Sequence, residues 1–264
     1  MLAKRVQTVE KAEYFGVGRL EACTSGDSGT LEGTTVNKRN TLPQFDARRP
    51  ISDLEYIYDA LKQSCMIGEF EPGQKITLHQ LSEAFGTSQM PIREATNRLV
   101  AAKAMEAPPR RSLCIPRATL ESLDSLLPLR LLLEGEAASL AALKPDPELA
   151  DQMEQIDFEM VTLARTDDLK SYLRKNQEFH FVLYAASGNA NMIDMIELLW
   201  MRYGPLMNIV RSGVLSSSGY AHHAAAIKAV REGNAEAAKH AIQSDLTDAA
   251  SPIRKRILAS SASN

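Results

Sequence analysis

The sequence has no long hydrophobic run, few cysteines and no decisive charge of either sign. No apolar stretch in the 264 residues approaches the ~20 needed to span a bilayer, and no membrane partner is expected. The opening residues, MLAKRVQTVEKAEYFG, lack the apolar core of a secretory signal. The three cysteines, Cys23, Cys65 and Cys114, form no CxxC pair and are odd in number. That disfavours a disulfide framework or a thiolate zinc site and fits a reducing cytoplasm. Net charge is −3, too small to argue for or against a nucleic-acid partner. Residues 46–117 carry ten Lys/Arg against nine Asp/Glu, and residues 118–264 carry fourteen against nineteen. Any DNA-binding face in the first segment must therefore rest on a few placed arginines, not a basic field. Hydrophobic residues make up 44% of the chain, enough for a sizeable core.

Residues 1–45 lack periodicity and are Ser, Gly and Thr rich around Thr24–Thr35, which suggests a flexible N-terminal tail. Helical spacing begins with Ile51, Leu54, Ile57, Tyr58 and Leu61, and breaks at Gly68, Pro72 and Gly73. Thr77 is a candidate N-cap for a helix carrying Leu78, Leu81 and Phe85, which Gly86 ends. Thr87 or Ser88 opens the next helix, through to about Ala102, with Pro91 in its first turn. Ala104–Ala107 and Leu113–Ile115 flank the tip Pro108–Ser112 and predict a hairpin. From Thr119 the pattern is helical almost throughout, with predicted helices at 119–143, 146–164, 168–187, 189–211, 219–232 and 234–258. Pro128 and Pro205 are expected to kink or split theirs. The fold class is mainly α: a winged helix-turn-helix at 46–117, an all-α bundle at 118–258 and a short tail at 259–264.

Two helices joined by a tight turn and followed by a wing form a DNA-reading geometry, with the second helix entering the major groove by its N-terminal end. That end is Ser88-Gln89-Met90-Pro91-Ile92-Arg93. Ser88 and the helix N-terminus suit a phosphate. Gln89 and Arg93 suit base edges. Arg110 and Arg111 at the wing tip, and Arg48 and Arg49 ahead of the first helix, suit a groove or its phosphates.

The run from Ile67-Gly-Glu-Phe-Glu-Pro-Gly through Leu81-Ser-Glu-Ala-Phe-Gly-Thr-Ser-Gln-Met-Pro-Ile-Arg-Glu-Ala to Arg98-Leu-Val resembles the GntR family of regulators over about 60 residues. The resemblance implies a homodimer on a palindromic operator in double-stranded DNA. By position, Arg93 would be the principal base or phosphate contact, with Ser88 and Met90 at the backbone. Gln89 stands where that family usually has Arg, and Lys103 where a turn glycine is common, which suggests a different entry to the wing.

Residues 118–250 resemble the FadR-type branch, which carries the helical FCD ligand domain. The resemblance rests on Arg130-Leu-Leu-Leu-Glu134, Asn176-Gln-Glu-Phe-His180, Ala186-Ser-Gly-Asn189, and His223 with Ala229-Val-Arg-Glu-Gly-Asn234. Asn176 and His180, four apart, share one helix face. The family's metal ligands, an Asp or Asn followed by three His, fall here on Asn176, His180, His223 and Asp245. His222 competes with His223 in the adjacent register. The implied cofactor is a divalent metal, zinc first, with nickel or manganese as alternatives. The implied ligand is a small carboxylate effector, and repression is the family's usual mode. Arg130 or Arg202 could complete an anion site or serve as structural ion-pair partners. The histidines could equally bond an effector directly, without metal. No Ser/His/Asp order, glycine-rich phosphate loop or HExxH motif occurs, so no enzyme is expected.

Overall fold

The computed structural model describes residues 53–109, 111–166, 168–209 and 217–261. The winged helix and the helical bundle both belong to one compact unit. Arg48, Arg49 and Arg110 lie outside the described residues, as do the expected tail at 1–45 and the last three residues of the expected tail at 259–264, whose first three belong instead to a helix.

Helix α1, Asp53–Met66, buries Ile57, Leu61 and Cys65, one turn apart, on a single face. Burial pushes the Cys65 thiol up to about 12, which makes it a packing group, not a nucleophile. Strand β1, Lys75–Ile76, leads into α2, Leu78–Phe85. Thr77 caps α2 as expected: its hydroxyl accepts from the Gln80 N–H, and the Gln80 side chain accepts from the Thr77 N–H. Gly86 ends α2 in the left-handed region at φ 61°. Helix α3, Gln89–Ala101, buries Ile92, Ala95, Thr96 and Leu99.

The wing differs from the predicted hairpin. Strand β2, Leu113–Cys114, pairs antiparallel with β1, while Ala104–Ala107 contributes a single bridge, Glu106 to Cys114. Two-residue strands carry no periodicity, so the sequence could not announce the β1 pairing. Lys103 corrects a second expectation. It sits at φ 58°, in the left-handed region a glycine adopts freely, so a glycine-like backbone is kept at the entry to the wing and the lysine bears the strain.

Six helices follow among the described residues: α4 Leu120–Ala141, α5 Pro147–Leu163, α6 Leu169–Ala185, α7 Ala190–Asn208, α8 Ser217–Glu232 and α9 Ala235–Ser261. Side-chain caps at Thr119, Asp146, Asp168 and Asn189 each accept a backbone N–H three residues on. Pro128 and Pro205 sit inside continuous α4 and α7, so neither splits its helix. α4 packs on α9 and α7, α8 packs on α9, and α5 packs on α6 and α8.

α7 also packs on α1, binding the bundle to the winged helix. Gly204 makes this possible: a Cβ there would fall inside the carbonyl oxygen of Cys65. Asn208 Nδ2 donates to the Gly68 carbonyl at 2.6 Å, and Lys62 pairs with Glu197 at 3.1 Å. From α6, Lys170 reaches Glu69 at 2.6 Å.

Two outcomes are expected. Lys103→Gly relieves the left-handed strain and raises unfolding stability by about 1 kcal/mol, measured by urea denaturation. Gly204→Ala overpacks the α1–α7 crossing and lowers stability by about 1–3 kcal/mol or more. An unchanged denaturation midpoint in either variant contradicts its assignment.

Candidate metal centre and DNA-reading face

Four helices converge on one buried cluster. His180 comes from α6, His223 from α8 and Asp245 from α9, and all three are buried. One ligand atom from each lies within 4.8 Å of the others. Nε2 of His180 stands 3.4 Å from Asp245 Oδ2, and Nε2 of His223 stands 3.9 Å from Asp245 Oδ1. The fourth helix, α5, supplies Asp157, whose carboxylate accepts from Nδ1 of His223 at 2.8 Å. The two imidazoles meet nearly at right angles, and Phe179 stacks on His223 at 4.0 Å between centroids.

Donor chemistry tests whether a cation fits. A buried polar atom is normally hydrogen-bonded. Nε2 of His223 is fully buried and has no hydrogen-bond partner among the described residues. Nδ1 of His223 is taken by Asp157, so Nε2 is the ring atom left facing Asp245. A divalent cation would satisfy this atom, the Asp245 carboxylate and Nε2 of His180 together. Asn176 lies half-buried one turn before His180 on the same face of α6, the place from which a fourth donor would come. Burial pushes the Asp245 carboxyl up, but its contact with His180 and the charges of His180, His223 and His222 outweigh burial and hold it below the ordinary value.

The rivalry between adjacent histidines is resolved by position. His223 faces the cluster, whereas His222 pairs with the exposed Asp248 at 2.8 Å. His79 and His240 are exposed.

The two arginines weighed for an anion site are placed otherwise. Arg130 is buried, and its guanidinium makes two bonds to Glu134, at 2.6 and 3.2 Å. It lies 4.9 Å from the Trp200 ring centroid and 4.2 Å from that of Tyr203. It is the structural ion-pair partner of Glu134. Arg202 leaves the bundle altogether: its Nε donates to the Ala102 carbonyl, at the C-terminal end of α3, at 2.8 Å. The Arg130 guanidinium is engaged by Glu134, and Arg202 is bonded through Nε to a backbone carbonyl.

Residues the sequence did not single out surround the cluster. The Tyr184 hydroxyl lies 2.7 Å from Glu134 Oε2 and 3.1 Å from His180 Nδ1, and Trp200 Nε1 donates to the same Glu134 oxygen at 3.0 Å. Burial and the Glu134 charge push the Tyr184 phenol well above its ordinary value, so it keeps its proton. Tyr172, another turn before Asn176, is raised by burial and by the nearby Tyr220, Asp245 and Asp157. Tyr184 was discoverable as the residue four after His180. Asp157 carries no local signal, because only tertiary packing brings α5 to α8.

At the other end of the molecule, Ser88, Gln89, Met90 and Arg93 are all exposed on the first turns of α3. Met90 is 79% exposed, a large apolar side chain held in solvent. Arg93 makes no ion pair among the described residues, whereas its neighbours are engaged: Arg98 pairs with Glu55 at 2.9 Å and with Glu94 at 3.7 Å. Thr87 donates to Asp53 at 2.8 Å and fixes the turn before α3 against the start of α1. Arg111 is exposed at the wing.

Comparison with known proteins gives this geometry its family. Residues 54–115 match the model of the bacterial regulatory proteins of the gntR family, and residues 125–248 match the FCD domain. The HTH-type transcriptional regulator YdhC of Bacillus subtilis (strain 168) is 30% identical over 160 residues, 59% of this chain and 70% of its own length. The HTH-type transcriptional regulator McbR of Escherichia coli (strain K12) is 27% identical over 164 residues, 62% of this chain and 74% of its own. A probable D-xylose utilization operon transcriptional repressor of Paenarthrobacter nicotinovorans is 23% identical over 66% of this chain and 77% of its own. The solved structure of E. coli McbR/YncC superposes with a TM-score of 0.73 at 22% identity, over 78% of this chain and 99% of that one, and so shares the fold. These relatives are regulators, not enzymes, and no helix among the described residues is long and apolar enough to cross a membrane. The chain belongs to the GntR family of transcriptional regulators, in the branch that joins the winged helix to an FCD domain.

Proposed function

We propose that this regulator is a cytoplasmic repressor that binds a palindromic operator as a homodimer and is released by a small carboxylate held at a divalent metal in the bundle. The observation that carries the metal is the partnerless buried Nε2 of His223 beside His180 and Asp245. His180, His223 and Asp245 would hold the ion with Asn176 as the weakest donor, and zinc suits such a nitrogen and oxygen set best, ahead of nickel or manganese. When bound, the metal supplies open coordination positions for an anion. With Arg130 engaged by Glu134 and Arg202 bonded to the Ala102 carbonyl, the metal is the positive group a carboxylate would meet.

The DNA half of the proposal rests on Arg93 at the start of α3, exposed and without an ion pair among the described residues, and flanked by Ser88, Gln89 and Met90. Arg111 would meet a groove edge or its phosphates. Leu129 and Leu132, exposed three residues apart on α4, offer an apolar ridge to a second copy.

Two measurements test the halves separately. Untagged protein is expected to carry about one divalent ion per chain, to lose it to a chelator and then to melt at a lower temperature. His223→Ala should abolish both effects. Protein that carries no ion and shows no chelator effect removes the metal and leaves direct effector binding. Arg93→Ala should weaken operator binding by about 1–3 kcal/mol if Arg93 reads a base. It should reduce the salt slope by about one unit if it holds a phosphate. Wild-type affinity in this variant contradicts both roles.

A further inference from the structure

Water disfavours a large apolar side chain, yet Met90 stands 79% exposed at the second position of α3. Among the described residues it is the most exposed large apolar side chain, and the others that stand in solvent, from Leu129 to Leu258, all belong to the bundle. α3 turns Ile92, Ala95, Thr96 and Leu99 into the core. On its exposed side Met90 shares a face with Arg93, three residues on, and with Asn97, seven on. A duplex within reach of Arg93 therefore lies against Met90 as well. Helical side chains lean toward the N-terminus of their helix, so the thioether projects ahead of α3, at the end that enters a groove.

The resemblance puts this position at the DNA backbone, but methionine is chemically unsuited to that role. Phosphate oxygens accept hydrogen bonds, and a thioether has neither a proton to donate nor a charge. Its neighbours are better equipped. The Ser88 hydroxyl makes no capping bond to α3, and the N–H groups of a first helical turn favour an anion. What a major groove offers an apolar side chain is the 5-methyl group of thymine. Methionine is unbranched and polarizable, so it adapts its shape to such a group at low cost.

We propose that Met90 is a specificity-determining residue that reads a thymine methyl group in the operator. This rests on α3 being the helix that enters the major groove. Removing that methyl takes away the contact and leaves the hydrogen-bonding edge of the base pair unchanged.

The full chain is used to select duplexes from a random-sequence pool. Each thymine of the enriched site is then replaced in turn by deoxyuridine, which lacks only the methyl, and binding is read by fluorescence anisotropy. At one thymine per half-site the wild-type affinity is expected to fall by about 4-fold, the worth of one buried carbon. Met90→Ala should lose a similar factor on the thymine duplex and bind the thymine and deoxyuridine duplexes alike. Met90→Leu should keep the discrimination. Neither variant should change the salt slope, because no charge is removed. A wild type indifferent to every deoxyuridine substitution overturns the proposal, as does a discrimination that survives Met90→Ala. A loss in Met90→Ala that is equal on all duplexes, random sequence included, belongs to a sugar contact and also overturns it. If the pool enriches no sequence, or Arg93→Ala and Met90→Ala both bind like wild type, the reading of α3 falls and the proposal with it. If Arg93→Ala weakens binding while Met90→Ala does not, only the thymine contact falls, so the two failures are distinguishable.

Discussion

The interaction on which the bundle depends is the buried carboxylate of Glu134. Placing a charge in the interior is expensive unless it is paired and fully hydrogen-bonded. Glu134 meets both conditions, with Arg130 from its own helix, Tyr184 from α6 and Trp200 from α7 all donating to it. One side chain thus sets the approach of three helices. Its guanidinium partner is itself packed against two aromatic rings, so neither charge meets water. Such a network gains little over an apolar core in raw stability, but a half-satisfied version would be costly. The gain is in defining a single arrangement around His180.

The same helix that closes this network also grips the DNA-binding half. Trp200 faces Glu134, and two residues later Arg202 holds the carbonyl at the end of the recognition helix. Gly204 and Asn208 continue the grip on α1 and on the turn after it. A flexible linker between the halves would absorb any rearrangement of the bundle. A contact in which backbone meets backbone at Gly204 cannot, because packed elements shift as units. On the proposed reading, an effector at the cluster would therefore act on operator affinity by moving the winged helix as a body, within the limit set by its differential affinity for two arrangements.

Much of this was legible in the sequence because it is local. The capping box at Thr77, the left-handed Gly86, the helix spans and the i, i+4 placement of Asn176 and His180 depend on a few neighbouring residues, and the structure places them where that local chemistry predicts. The choice of His223 over His222 depends on which face of α8 meets α9, and the resemblance carried it. The errors are non-local. β1 pairs with a strand nearly forty positions away, and two residues are too few to show a period. Arg202, weighed for an anion site or a structural ion pair, donates to a carbonyl a hundred positions earlier, a partner no local pattern shows. Asp157 escaped notice for the same reason.

Lys103 and Asp245 are two departures from the family pattern, and they are absorbed differently. At Lys103 the backbone keeps the shape and the side chain bears the strain, because the chain path into the wing is dictated by α3 and the strands on either side. At Asp245 the side chain changes donor type, an oxygen in place of a nitrogen, while Asn176 at the other end of the set is neutral. A set with one carboxylate, whether at the first or the last position, carries the same single negative charge. Against a set that opens with Asp, the net charge on a bound divalent ion would be unchanged by the exchange, and so would the attraction for an anionic effector. What changes is geometry: the carboxylate now stands on α9, which packs on both α4 and α8, so the strongest electrostatic bond to the ion would be made by the helix best placed to pull those two together.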